Sequence, residues 1–172
     1  MNATIETILK RRSTRSFMKK TLKNEDIETI VDCALHAPSG MGRQTWKFTV
    51  VVNREKIQQL AAVIGKELGR EGYTMYEPEV LIIPSNEKDS PFGMEDNACA
   101  MENIYLAAEA LGIGCVWINQ IRTICQVPAV REILDAWETP GDHVVYGMAA
   151  LGYRDDTPIQ PKERIGKVTY IR

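Results

Sequence analysis

The chain has 172 residues, 44% hydrophobic and 26% charged, which suits one globular domain spanning 1–172 whose core needs no disulfide or metal staple. The net charge of −2 argues against a nucleic-acid partner, yet it is segregated: residues 1–24 carry +6, residues 154–172 carry +2 and the stretch between carries −10. No apolar run approaches the ~20 residues of a membrane span, no secretory signal is evident, and Cys33, Cys99, Cys115 and Cys125 form no CxxC pair, so free thiols in a reducing cytoplasm are expected.

In chain order, Asn2–Lys10 reads as a helix capped by Asn2 or Thr4, with Ile5, Ile8 and Leu9 at helical spacing. The segment RRSTRSFMKKTL has no clean period and reads as loop or extended chain. Asn24 is expected to cap a helix with Ile27, Ile30, Val31, Ala34 and Leu35 on one face, ending before Pro38. APSGMGRQT is a loop by composition, and WKFTVVV at 46–52 is a buried strand. A helix follows over 54–68, closed by Gly69, then a short strand at 80–84 and an exposed turn. Residues 95–111 form the longest helix, with Met101, Ile104, Tyr105, Ala108 and Leu111 inward. A strand at 115–119, a short helix from Pro128 to Leu134 and a strand over 144–153 complete the body. The small residues of that last strand mark a place where something packs closely. The closing VTYIR alternates like a strand but is cut off by a polar, Pro-bearing segment, which suggests that the tail lies on a partner subunit. One layered domain with helices against a sheet follows.

The candidate chemistry is mostly negative. There is no Walker pattern and no GxGxxG; Gly112-Ile113-Gly114 has a capping explanation, and Gly40-Met41-Gly42 precedes a strand rather than following one. Neither His36 nor His143 sits near a metal-like cluster, and no cysteine or serine stands in a nucleophile's context. The exception is Arg11-Arg12-Ser13-Thr14-Arg15, whose guanidinium forks and hydroxyls suit a phosphate, although a simple solvated loop fits that segment equally. Without an amino-acid catalyst, the chemistry is expected to come from a cofactor.

Four segments, in order, resemble the flavin-dependent nitroreductase family. RRSTRSF is similar to its Arg-x-Ser-x-Arg/Lys signature, and APSGMGRQTWKFTVV to its Pro-Ser loop leading through Gln and Trp into a strand. ENIYLAAEALGIGCVWIN resembles its central helix and following strand, and Lys162-Glu163-Arg164 its C-terminal Lys-x-Arg. Thr45 departs from the Pro common there, and the compact chain leaves little room for the helical insertion of larger members.

The resemblance implies an α+β fold, a three-layer α-β-α sandwich around a mixed, largely antiparallel sheet, in a homodimer with interfacial flavin sites and an exchanged C-terminal tail. It implies FMN as cofactor and NADH or NADPH as hydride donor, with a ping-pong reduction of a small electron-poor acceptor such as a nitroaromatic or quinone. By position, Arg11, Ser13, Lys162 and Arg164 match holders of the FMN phosphate, with Arg12 beside them. Arg15 matches the cation at flavin N1/O2. Pro38, Ser39 and Gly40 match a loop that approaches the flavin from the other subunit, and Asn119 and Gln120 a turn whose backbone N–H faces N5. A relative specialised for an enone or dehalogenation, or a flavin-binding module without turnover, remains the alternative.

Overall fold

The computed structural model describes residues 2–155, 157–158 and 163–172. Along them run α1 (Ala3–Lys10), α2 (Asn24–Leu35), β1 (Trp46–Val51), α3 (Arg54–Glu67), β2 (Val80–Glu87), α4 (Gly93–Ala110), β3 (Ile113–Ile118), α5 (Pro128–Ala136), β4 (His143–Val144) and β5 (Met148–Tyr153). The strands form one sheet in the order β1-β2-β5-β3, with β4 pairing β2 off that path. Every pairing between these strands is antiparallel. The parallel component is an isolated bridge from Ser13 to Cys115.

Side chains alternate across a strand, and that alternation builds two cores. Leu81, Ile83, Val116, Ile118 and Ala150 point to the face where α3 and α5 bury Ile57, Leu60, Ile64, Val130 and Leu134. Val80, Ile82, Ile113, Cys115 and Leu151 point to the opposite face, against Ile27 and Ile30 of α2 and Met101, Ile104 and Ala108 of α4. The result is three layers, helices on both sides of the sheet. Each fully buried Leu or Ile contributes about 1.5–3 kcal/mol relative to exposure, so the two faces supply most of the driving force.

Helix ends follow local chemistry. Asn2 Oδ1 accepts from the Thr4 amide at 2.9 Å, Asn53 Oδ1 accepts from the Lys56 amide at 3.0 Å, and Pro128 opens α5, where its missing N–H costs nothing. One expected cap moves: α2 begins at Asn24 itself, with Lys23 extended before it and no side-chain cap bond. Leu35 and Leu111, expected on inner faces, are exposed at the C-terminal ends of their helices.

β1 ends one residue early, at Val51, β3 runs from Ile113 to Ile118 rather than over 115–119, and three differences are larger. β2 runs past Pro84 to Glu87. Pro84 falls between the β5 pairing at Val80–Ile82 and the β4 pairing at Asn86–Glu87, so on that side the ring displaces no ladder bond. The single strand expected over 144–153 is split into β4 and β5. Gly147 lies in the break, where an ideal Cβ would sit 2.2 Å from Trp117 Nε1; this is the close packing that the small residues implied. The closing VTYIR forms no strand, and Ile165, Val168, Tyr170 and Ile171 are exposed.

Candidate functional site

β3 is the edge of the sheet beyond β5, and the N-terminal loop lines that edge. Ser13 pairs with Cys115, and the Thr14 amide donates to the Cys115 carbonyl at 2.9 Å. Three residues on, Phe17 bridges Arg154 and the Met18 amide donates to the Tyr153 carbonyl at 2.9 Å. Close approach is permitted by Gly114, where a Cβ would come within 2.7 Å of the Thr14 side chain. A stretch without periodicity in sequence is thus pinned at both ends to the sheet.

Beside this loop lies a cavity of about 470 Å³. Residues 11–16 form one wall; Arg154, Asp155, Thr157, Pro158 and Arg164 form the other. The two basic ends of the chain therefore meet. The wall holds five guanidiniums, and their partners sort them. Arg11 lies 3.8 Å from Glu102 and 5.0 Å over the Tyr105 ring. Arg154 pairs with Glu109. Arg12 donates to the Leu9 carbonyl at 2.9 Å and to the Arg11 carbonyl at 2.8 Å, closing the end of α1. Arg15 and Arg164 are exposed, and neither has a hydrogen-bond or ion-pair partner among the described residues. Set against Glu102, Glu109 and Asp155, the five cations leave two positive charges.

The neighbours of Arg11 do not titrate near neutrality: burial pushes both the Tyr105 hydroxyl and the Cys115 thiol up. The opposite shift occurs at Asp155. The Ser16 hydroxyl, then the Thr157 hydroxyl and amide, hold its carboxyl below the ordinary range. A depressed carboxyl stabilises the fold fully above the unfolded value, about pH 4, and loses that contribution as pH falls through the folded one. Ser16→Ala is expected to move the Asp155 titration up toward about 4, read by carbon NMR; an unmoved titration would show that Ser16 does not set it.

The structure brings Arg11, Arg12, Ser13, Arg15 and Arg164 to one cavity. Lys162 lies outside the described residues. Pro38, Ser39, Gly40, Asn119 and Gln120 do not line it. Gly40 opens a short 3-10 turn ahead of β1. Asn119 follows β3 directly, and Gln120 opens a second such turn. From Cys115, beside Ser13, to Asn119 is four residues of extended chain, about 13 Å. The cavity wall also contains Thr14, part of the cluster marked by composition, and Ser16, Arg154, Asp155, Thr157 and Pro158, which the sequence had not singled out. Arg154 and Asp155 carried a signal, since they belong to the basic C-terminal stretch; Thr14 Oγ1, from the N-terminal cluster, is buried with no partner among the described residues.

The two histidines stand apart from this cavity. His143 is buried, its Nδ1 3.0 Å from Ser85 Oγ, and His36 is exposed beside Asp32.

The model of the nitroreductase family matches residues 8–80 and 69–153. The chain belongs to the nitroreductase family. A crystal structure of an FMN-bound nitroreductase from Bacteroides fragilis is similar to this member over 100% of both chains, with 36% identity and a TM-score of 0.94. An Archaeoglobus fulgidus relative, provisionally named NADH dehydrogenase/NAD(P)H nitroreductase, is 33% identical over 162 residues, 91% of this chain and 88% of its own. The NADPH-flavin oxidoreductase of Vibrio harveyi is 31% identical over 174 residues, 94% of this chain and 70% of its own. The expected three-layer sandwich is the fold of this nitroreductase-family chain.

Proposed function

We propose that this chain is an FMN-dependent NAD(P)H oxidoreductase of nitroreductase type. The observation that carries the reading is the meeting of the two basic ends at one cavity. Its hydroxyls and guanidinium forks are the donor set for a phosphomonoester. Its two uncompensated positive charges match a phosphate's −1.5 to −2. In this reading Arg11, Arg12, Ser13 and Arg164, with Lys162, hold the FMN phosphate. Asn119 and Gln120, about 13 Å along β3 from Ser13, place a backbone amide at the ring. That separation suits a molecule with a phosphate at one end and a flat ring at the other. When bound, FMN supplies hydride transfer from NADH or NADPH to a small electron-poor acceptor, a nitroaromatic or quinone.

The protein's part is then binding and electrostatics. Arg15, exposed and without a partner among the described residues, supplies a cation for the edge of the ring where negative charge develops. Pro38, Ser39 and Gly40 face the ring held by a second copy, and the exposed apolar residues of the tail, such as Ile165 and Tyr170, pack on that copy. Among the described residues no helix is long and apolar enough to cross a membrane, and all four cysteines are free, in keeping with a cytoplasmic homodimer.

The test is the absorption spectrum of the purified protein, followed by anaerobic titration with NADH and NADPH. A yellow protein that bleaches on addition of either nucleotide is expected. A colourless protein whose Tm does not respond to FMN overturns the reading. A yellow protein that neither nucleotide bleaches makes it a flavin-binding module without turnover.

A further inference from the structure

Loop 38–45 is fastened to the body of the molecule by groups that no sequence pattern marked. Asp96, in the first turn of α4, is 3% exposed. Its Oδ1 accepts a hydrogen bond from the Gly40 amide at 2.8 Å. The Phe92 ring lies so close to Gly40 that an ideal Cβ there would sit 2.2 Å from it, so only glycine lets this amide reach the carboxylate. At the far end of the loop, the Thr45 hydroxyl donates to Asn86 Oδ1 at 2.6 Å. Within it, the Gln44 amide donates to Ser39 Oγ at 3.0 Å. Met41 and Gln44 hold φ of 56° and 49°, values that side-chain-bearing residues adopt at a cost. Contacts, not intrinsic preference, therefore set the shape of this loop.

Burying a carboxylate is costly unless its oxygens are satisfied. Asp96 Oδ2 is buried with no partner among the described residues. The partial positive charge of the first turn of α4 offsets only part of that cost. What the carboxylate does for the fold, in return, is hold Gly40.

We infer that Asp96 is a positioning residue. Through the Gly40 amide it fixes the Pro38–Ser39–Gly40 edge at the distance from which that edge closes on the flavin of a second copy. The inference rests on the functional reading above, because the flavin and the second copy come from it. Asp96 itself does not line the phosphate cavity; it acts through Gly40.

The experiment compares Asp96→Ala and Asp96→Asn in the holoprotein, reading hydrogen exchange at the Gly40 amide, the rate of FMN release, and competition by inorganic phosphate. In Asp96→Ala, loss of the bond is expected to speed both Gly40 exchange and FMN release about tenfold. The inhibition constant of inorganic phosphate from that competition should stay at the wild-type value, because the arginine wall is built from other residues. Asp96→Asn keeps an acceptor oxygen for the Gly40 amide, drops the charge and puts an amide NH2 in place of the unpartnered Oδ2, so it should stay within about threefold of wild type in both readouts. If Asp96→Ala does not fold, Asp96→Ser, smaller and still polar, is expected to show the same loss at Gly40. Wild-type exchange and release in the Ala or Ser variant overturn the proposal. So does an Asn variant as impaired as the Ala one, because charge and not the bond would then matter. A wild-type protein that binds no FMN removes the functional reading instead, and Gly40 exchange in the unliganded variants still decides whether Asp96 holds the loop.

Discussion

Arg164→Ala is expected to weaken FMN binding by about ten- to a hundredfold while leaving the Tm of the FMN-free protein unchanged, the loss of one charge-assisted phosphate contact. The asymmetry between binding and stability follows from the position of the residue. Arg164 is exposed and has no hydrogen bond or ion pair among the described residues, so the fold loses nothing when it is truncated. It nevertheless lines the cavity, where it faces the N-terminal arginines from the opposite end of the chain. Arg11 is less informative, since it also leans on Glu102 and Tyr105 and its removal would disturb α4. Equilibrium dialysis or flavin fluorescence checks the prediction. Arg164→Lys, which keeps the charge and loses the fork, should fall between Ala and wild type. Flavin retained at the wild-type level by Arg164→Ala would remove Arg164 from the site.

Gly114→Ala should have the larger effect on the fold. The added methyl would lie 2.7–2.9 Å from the Thr14 side chain, which is 7% exposed and cannot swing away. Relief requires the 13–14 segment to lift from the edge of β3, where it is held by the Thr14 amide and the Ser13 bridge. Overpacking of this kind costs about 1–3 kcal/mol, a Tm loss of several degrees for a chain of this size. Because Ser13 and Arg15 flank Thr14, FMN binding should weaken in parallel. In a Thr14→Gly background the same methyl should cost much less, and this coupling is the decisive measurement. Additive effects of the two substitutions would show that Gly114 and Thr14 are not in contact.

What could be read beforehand sorts by physical cause. The layered fold was legible because each helix carries one apolar face and the buried strands are continuous apolar runs such as Val80–Ile83. The extension of β2 through Pro84 was not, because its tolerance depends on which neighbours flank that position. Likewise the break between β4 and β5 depends on the Trp117 indole, 30 residues from Gly147 in sequence. In the site, the arginine cluster stood out by composition, and its meeting with Arg164 followed the charge segregation of the chain. Sequence could not say which arginines are spoken for. Arg12 is turned onto the end of α1, and Glu102 and Glu109 take up Arg11 and Arg154, all by tertiary contact. Asp96 was invisible for a simpler reason: an acid near a helix start is common, and only burial reveals that it holds something.

α4 touches the proposed site at three points. Asp96 at its first turn holds the loop, Glu102 and Tyr105 meet Arg11 half-way along, and Glu109 meets Arg154 at the end. The helix has 18 residues, about 27 Å of rigid rod. It works as a jig: two features from distant stretches of chain are cut to the same ruler. One residue inserted between Asp96 and Glu102 would turn one half against the other by about 100° and slide it by about 1.5 Å, so loop and arginine wall could no longer both be met.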